Sequence, residues 1–302
     1  MSDFLMVTDI GAEGVAETLR LAVDSKRDLG SYTGRLDGKK VGLFFEKPST
    51  RTRVSCEVAT VELGAHPVVL KADEVGLGKR ESVEDVARTL DRYLDMLAFR
   101  VFDHRNLVKM APMADAPIIN LLSDRSHPCQ ALADLQTIAE HRPLEEASVA
   151  YIGDGNNVCH SLMLAGALTG VDIRVAGPDG YQPDGEITEE ATKIAASSGG
   201  KITVTSNAAD AVAGADVVYT DVWTSMGQEE EAEERNRMLL PFRLTRELFE
   251  SAAGDAIFMH CLPAHRGEEV TDDVIEHERS RVFDQAENRM HSFRGLLLYL
   301  NG

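Results

Sequence analysis

Short apolar runs alternate with longer amphipathic segments along the whole chain. The runs have the length and composition of buried β-strands and lie at 41–45, 66–70, 96–100, 117–121, 148–152, 172–176, 201–205, 216–220 and 256–260. Helical periodicity is expected between them, most clearly at 51–63, 82–93, 128–141 and 286–300. This alternation predicts an α/β protein of two domains, each with a central parallel sheet flanked by helices.

The length of 302 residues fits two domains at about 150 residues each. We expect one domain to comprise residues 1–140 together with a C-terminal helix at 286–302, and the other to comprise residues 141–285. Pro143 is expected to end the helix that precedes the boundary. A glycine-rich loop is expected at 74–79.

Composition and charge exclude several classes of protein. The chain is 43% hydrophobic and 27% charged, which is typical of a globular protein, and it has no apolar run of the ~18 residues that a membrane span needs. Its net charge of −19 disfavours nucleic-acid binding. The first residues lack a signal peptide, so a cytoplasmic location is expected. Of the 31 lysine and arginine residues only 9 are lysines, which suits either a halophilic surface or an ordinary acidic enzyme.

The four cysteines indicate neither a metal site nor a redox pair. Cys56, Cys129, Cys159 and Cys261 are widely spaced, and no Cys-x-x-Cys motif occurs. We therefore expect reduced thiols and no bound zinc.

The first candidate site lies where the strand at 41–45 gives way to a helix. Ser49, Thr50, Arg51 and Thr52 follow that strand, and a helix N-terminus rich in hydroxyls and guanidinium suits a phosphate. The alternative is a serine-capped helix with surface arginines. Arg100 ends its own strand and would be either a second anion ligand or an ordinary surface arginine.

Two further motifs open helices. In the first, His127 could donate to a carbonyl oxygen and Gln130 could bond an amide, although a simple helix entry explains both. The second, Gly153-Asp154-Gly155-Asn156-Asn157, resembles a dinucleotide fingerprint, but its last glycine is replaced by Val158. We therefore expect no NAD, and expect the asparagines to bind a carboxylate.

The last candidate site is divided between two strand ends. Asp221 begins the segment Asp221-Val222-Trp223-Thr224-Ser225-Met226-Gly227, and Cys261 lies in His260-Cys261-Leu262-Pro263. Ligands of parallel sheets bind outside the carboxyl ends of strands. A carboxylate and a thiol placed there could face an amine, although a cysteine alone is commonly a small buried apolar residue.

Together these motifs are more specific than any one of them. The ordered set Ser-Thr-Arg-Thr-Arg, His-Pro-x-Gln, Asp-Gly-Asn-Asn, Ser-Met-Gly and His-Cys-Leu-Pro resembles the aspartate/ornithine carbamoyltransferase family over nearly the whole chain. The last two motifs are similar to those of its ornithine branch.

The resemblance implies transfer of a carbamoyl group from carbamoyl phosphate to the δ-amine of ornithine, giving citrulline and phosphate, in arginine metabolism. It implies that the first domain binds carbamoyl phosphate, through Ser49, Thr50, Arg51, Thr52, Arg100, His127, Gln130 and Arg289. It implies that Cys261 and Leu262 also bind carbamoyl phosphate and lie by the side-chain amine of ornithine. It also implies that the second domain binds ornithine, through Asn157, Asp221, Ser225 and Met226. The catalytic residues would be Arg51, His127, Asp221 and Cys261.

The resemblance further implies a homotrimer or an assembly of trimers, with small-molecule substrates and with no cofactor or metal. Some relatives carry Gln or His where this chain has Gly76, and that loop can reach a neighbouring subunit. Lys79 or Arg80 would replace the contact, unless both are solvated loop cations. Three rivals remain: a carbamoyltransferase for putrescine or N-acylated ornithine, an NAD-dependent dehydrogenase, and an inactive regulatory protein.

Overall fold

The computed structural model describes residues 3–224 and 229–302. The chain divides into two compact units, Met1–Gln136 with Glu287–Gly302, and Thr137–Ala286. Each unit contains one sheet whose strands are all parallel. The predicted α/β fold with two parallel sheets is confirmed.

The first unit is built on a four-stranded sheet in the order β2-β1-β3-β4. Its strands are β1 Lys40–Phe45, β2 His66–Lys71, β3 Met96–Arg100 and β4 Ile118–Leu122. Its helices are α1 Gly11–Arg27, α2 Thr50–Glu62, α3 Ala72–Val75, α4 Val83–Asp91, α5 His104–Met110 and most of α6 Pro128–Ala139. The larger part of the last helix, α13 Val282–Asn301, also belongs to this unit.

The second unit is built on a five-stranded sheet in the order β7-β6-β5-β8-β9. Its strands are β5 Ser148–Ile152, β6 Asp172–Ala176, β7 Lys201–Thr205, β8 Val217–Thr220 and β9 Ile257–Met259. Its helices are α7 Asn157–Thr169, α8 Gly185–Ser198, α9 Ala208–Val212, α10 Ala232–Leu239, α11 Arg246–Glu250 and α12 Asp272–Ile275.

Central strands are buried on both faces, as parallel sheets require. In the first unit, β1 is buried from Val41 to Phe45, and the rings of Phe44 and Phe99 lie 5.5 Å apart. In the second unit, Phe249 and Phe258 pack edge to face at 6.3 Å. These two cores fix the strands whose ends carry the candidate residues.

Many of the predicted elements are shifted by one or two residues at their ends, and three further differences concern what was predicted at particular residues. Residues 74–79 are not wholly loop, because α3 occupies the start of that range and the N–H of Lys71 donates to Glu74 at 3.0 Å. Pro143 does not end α6, which stops at Ala139. The last helix begins at Val282, before the expected residue 286.

None of the helices in residues 3–224 and 229–302 combines the length and apolar character that a bilayer crossing requires. No disulfide joins the four cysteines, all of which lie in these described ranges. Burial raises the pKa of the Cys56 thiol to about 12.

Candidate active site

The candidate residues follow strands at the points where the strand order reverses. In the first sheet, β1 lies between β2 and β3, and in the second, β5 lies between β6 and β8. The carboxyl ends of two strands that diverge in this way leave a crevice in which α/β proteins bind ligands. The Ser49 turn follows β1, and Arg100 ends β3. Gly153 follows β5, and Asp221 follows β8.

The helix α2 is not capped by the side chain of its N-cap residue. Ser49 is the N-cap in an extended conformation, yet its side chain makes no capping hydrogen bond. Its hydroxyl instead donates to Oγ1 of Thr52 at 3.1 Å. The N–H groups of the first turn are therefore not taken up by this hydroxyl, and they carry the positive end of the helix dipole. Thr50 is exposed and Arg51 is half-buried in the same turn.

Two buried guanidinium groups converge on one hydroxyl. Nη1 of Arg100 and Nη2 of Arg289 each lie 3.3 Å from Oγ1 of Thr52, which is itself 1% exposed. Arg100 and Arg289 are also buried. Like charges held this close are stabilised when an anion binds between them. Arg100 and Arg289, two of the predicted anion ligands, thus lie together at Thr52, with Arg289 contributed by α13.

The turn into α6 joins this set. Nη1 of Arg289 donates to Oε1 of Gln130 at 2.5 Å. Nε2 of Gln130 donates to Oδ1 of Asp134 at 2.8 Å, which fixes the orientation of the amide. His127 is buried, and burial together with the charges of Arg289 and Arg100 holds its pKa well below 6.5. The ring is therefore neutral at pH 7, so it can donate a hydrogen bond to a carbonyl oxygen without adding charge.

The end of β5 is organised by Asn156, which was predicted with Asn157 to bind a carboxylate and whose side chain instead bonds within the chain. Its Oδ1 accepts from the N–H groups of Val158 and Cys159 and so caps α7. Its Nδ2 donates to Oδ2 of Asp221 at 2.9 Å. Asn157, the predicted carboxylate ligand, opens α7 and is half-buried. Because the cap occupies the helix N-terminus that a dinucleotide pyrophosphate would need, the geometry also disfavours NAD.

Asp221 and Cys261 are brought together from two strands. Sγ of Cys261 lies 2.9 Å from Oδ1 of Asp221, which is 4% exposed. Leu262 follows with a positive φ of 57° and a cis bond to Pro263. Ser225 and Met226, the other predicted ornithine ligands, lie outside the described residues.

Asp221, His260 and Cys261 place ligand-type atoms within 4.8 Å of one another. His260 is engaged elsewhere, however. Its Nδ1 accepts from the N–H of Leu262 at 2.9 Å, so Nε2 carries the proton toward Glu269 at 3.2 Å. A histidine with both ring nitrogens engaged is poorly suited to ligate a metal.

In the loop that could reach a neighbouring subunit, Arg80 bonds to a nearby backbone carbonyl of the same chain. Gly76 has a left-handed φ of 65° and ends α3. Nη1 of Arg80 donates to the carbonyl oxygen of Glu74 at 3.3 Å, and Lys79 is exposed. Within one subunit, these two cations therefore match solvated loop residues.

Comparison with known proteins extends this picture. Two family models match the chain: the carbamoyl-P binding domain of aspartate/ornithine carbamoyltransferases over residues 2–140, and their Asp/Orn binding domain over residues 145–300. An ornithine carbamoyltransferase of Parafrankia sp. (strain EAN1pec) is 50% identical over 98% of this chain and 95% of the relative. An anabolic one of Pyrococcus furiosus is 48% identical over 99% of this chain and 96% of the relative.

Solved structures agree. The structure of ornithine carbamoyltransferase from Pyrococcus furiosus has a TM-score of 0.94 and 49% identity, covering 98% of this chain and 95% of that one. The anabolic enzyme from Campylobacter jejuni has a TM-score of 0.95 and 36% identity, covering 100% and 99%. Family models match both halves of the chain, and the named relatives align with the chain along nearly their full length. The chain belongs to the aspartate/ornithine carbamoyltransferase family.

Proposed function

We propose that this chain transfers the carbamoyl group of carbamoyl phosphate to the δ-amine of L-ornithine, giving L-citrulline and phosphate in arginine metabolism. The observation that carries the proposal is the pair of buried guanidinium groups of Arg100 and Arg289 on the Thr52 hydroxyl, beside the Gln130 amide. That set suits a phosphate joined to a group with an amide face. The named relatives, all ornithine carbamoyltransferases, support ornithine as acceptor.

Most of the proposed carbamoyl-phosphate ligands belong to the first unit. The phosphate is bound by the first turn of α2 and by the arginines around Thr52, namely by Ser49, Thr50, Arg51, Thr52, Arg100 and Arg289. His127 donates to the carbonyl oxygen. Gln130, whose Oε1 already accepts from Arg289, presents its remaining amide hydrogen to the substrate. Two further proposed ligands, Cys261 and Leu262, belong to the second unit.

The proposed ornithine ligands belong to the second unit. Asn157 and the backbone at Met226 bind the α-carboxylate, and Asp221 and Ser225 bind the α-ammonium. Asp221 is held by Asn156 on one oxygen and by Cys261 on the other, so its position is set before substrate binds.

The chemistry begins with a neutral amine. An alkyl ammonium has an ordinary pKa of about 10.4, so the δ-amine must lose a proton before it attacks. Asp221 and Cys261 are the groups placed to favour that loss. The nitrogen then bonds to the carbamoyl carbon while charge grows on the carbonyl oxygen, where Arg51 and His127 stabilise it. The carbon–oxygen bond to phosphate breaks, and the phosphate leaves with the bonding electrons and takes up the second proton that the attacking nitrogen loses.

An assembly of trimers, or a single trimer, is proposed as the working state. On α2, Val54, Val58 and Val61 lie on one helical face and are 52%, 38% and 59% exposed. An apolar stripe on the helix that starts at the phosphate-binding turn suits a subunit contact near the site. Sedimentation of the wild type and of Val58→Lys tests this, since a monomeric wild type would contradict it.

The cytoplasmic location stays a prediction.

One assay separates the rivals. Purified enzyme with carbamoyl phosphate and ornithine should release citrulline and phosphate in equal amounts. Replacing ornithine by putrescine or N-acetylornithine tests the nearest rivals, and reduction of NAD tests the dehydrogenase. Absence of any turnover would favour the inactive regulatory protein and would overturn the proposal.

A further inference from the structure

A buried arginine joins two loops of the second unit at the carboxyl edge of its sheet. Arg235 lies on α10 and is 6% exposed. Its Nη2 forms an ion pair with Oδ2 of Asp154, just after β5. Its Nε donates to the carbonyl oxygen of Trp223 at 2.6 Å, just after β8. One guanidinium thus bridges the two strand ends that border the crevice.

Each contacted residue is close in sequence to a proposed ornithine ligand. Asp154 lies three residues before Asn157, a proposed carboxylate ligand. Between them lies Asn156, whose amide donates to Asp221. Trp223 lies two residues after Asp221. The same guanidinium therefore connects the asparagine turn to the segment that begins at Asp221.

The guanidinium is enclosed on its remaining sides. It lies over the ring of Tyr181 at 5.0 Å, and the carbonyl oxygen of Tyr181 accepts from the N–H of Gly155 at 2.7 Å. A Cβ atom added to Gly155 would lie 2.2 Å from the nitrogen of Pro183, so the two loops are in close contact. Arg235 is thus fixed between three loops.

In the ion pair of Arg235 and Asp154, either charge would be costly to bury without the other. Removal from water raises the pKa of Asp154 to about 6, and the nearby guanidinium offsets only part of that effect. Without Arg235, the carboxyl group would therefore take up a proton rather than stay charged in the interior.

We propose that Arg235 is a positioning residue for ornithine, which holds the Asp154 turn and the Trp223 carbonyl at the spacing that the α-amino-acid group requires. It is not proposed to touch substrate. The inference rests on the proposed function and adds to it a determinant of amino-acid binding supplied from α10.

The first variant is Arg235→Lys, which keeps the charge but cannot hold a carboxylate and a carbonyl oxygen with one planar fork. We expect KM for ornithine to rise by about tenfold or more, the effect of losing one hydrogen bond to a charged group. KM for carbamoyl phosphate should change by less than about twofold, because Arg235 bonds to Asp154 and Trp223 and neither is a proposed ligand of carbamoyl phosphate. The inhibition constant of L-norvaline, which has ornithine's α-groups but no δ-amine, should rise with KM for ornithine.

The second variant separates positioning from stability. A buried ion pair can often be replaced by apolar residues of similar volume without loss of stability. In Asp154→Leu/Arg235→Met we therefore expect a near-normal melting temperature but a raised KM for ornithine, since the contact to the Trp223 carbonyl is still missing.

Arg142→Met is the matched control. Arg142 pairs with Asp216 at the opposite, amino end of β8, and with Asp255 at 3.0 Å. Its loss should lower the melting temperature and leave both KM values unchanged.

Three outcomes are decisive. If the double variant has restored stability and a normal KM for ornithine, Arg235 has only a structural role. That result would overturn this inference and leave the proposed function intact. Equal rises in both KM values for Arg235→Lys would do the same. A wild type that forms no citrulline would overturn the proposed function, and this inference with it.

Discussion

The thiol of Cys261 lies 2.9 Å from Oδ1 of Asp221, although the two residues follow different strands of the second sheet. The contact pairs a carboxylate with a group that can donate or accept a proton where the δ-amine is proposed to react. Asp221→Asn should lower kcat by about 10² or more, because it removes the carboxylate that is proposed to accept the proton of the δ-ammonium group. Cys261→Ser keeps a donor and should lose less.

Steady-state kcat at saturating substrates, with melting temperature as the check on folding, measures both effects. Normal turnover by a folded Asp221→Asn enzyme would remove this carboxylate from the proposed mechanism.

Arg51 is predicted to be indispensable. Arg51→Ala should reduce kcat by about 10²–10³, the usual effect of losing one donor to a developing oxyanion. Arg51→Lys should also fail, because an ammonium group cannot reproduce a bidentate contact. Arg53→Ala is the control in the same turn, since Arg53 is exposed and pairs with Glu57 at 2.7 Å. Near-normal activity of Arg51→Lys would show that the phosphate is bound by other groups.

His127 makes stability depend on pH. Burial and the neighbouring arginines hold its pKa well below 6.5, so in acid the unfolded chain binds a proton that the folded chain does not. The free energy of unfolding should be undiminished above about pH 6.5. At lower pH it should decrease, by up to about 1.4 kcal/mol per pH unit for this one group.

Urea unfolding between about pH 5 and 7.5 measures the slope in the wild type and in His127→Asn. The variant should have the shallower slope, although it retains the other histidines whose pKa is lowered, namely His104, His141 and His291. Identical slopes would mean that the His127 ring accepts a proton in the folded protein.

The net charge of −19 predicts a response to salt. If the acidity is a halophilic adaptation, repulsion between surface carboxylates destabilises the fold at low ionic strength, and salt screens it. The melting temperature should then rise between about 0.1 M and 2 M KCl. A melting temperature that stays constant or falls would identify an ordinary acidic enzyme.

The sequence was most informative where burial is continuous. The strands β3 and β5 have the predicted bounds, because strands covered on both faces are near-continuous apolar runs. The helix α1 was not delimited, because its buried face includes glycine, threonine and serine, which weaken the apolar period.

Partners of the candidate residues were harder to predict. Asn156 had a usable signal, since asparagine is a preferred N-cap. Asp134 lies four residues after Gln130 on one helical face, which is a weaker signal. Arg235 had none, because its contacts to Asp154 and Trp223 arise only when two strand ends and α10 are brought together.

Substrate choice tests the central claim most directly. If Asp221 binds the α-ammonium and Asn157 the α-carboxylate, an acceptor that lacks either charge leaves a buried polar group unpaired. Such sites can reject analogues by about 10⁴ or more, so ornithine should exceed both putrescine and N-acetylornithine by at least roughly 10³ in kcat/KM. The measurement is carbamoylated product from each amine at saturating carbamoyl phosphate. Comparable kcat/KM for putrescine and ornithine would contradict the assignment of ornithine, while leaving carbamoyl phosphate as the donor.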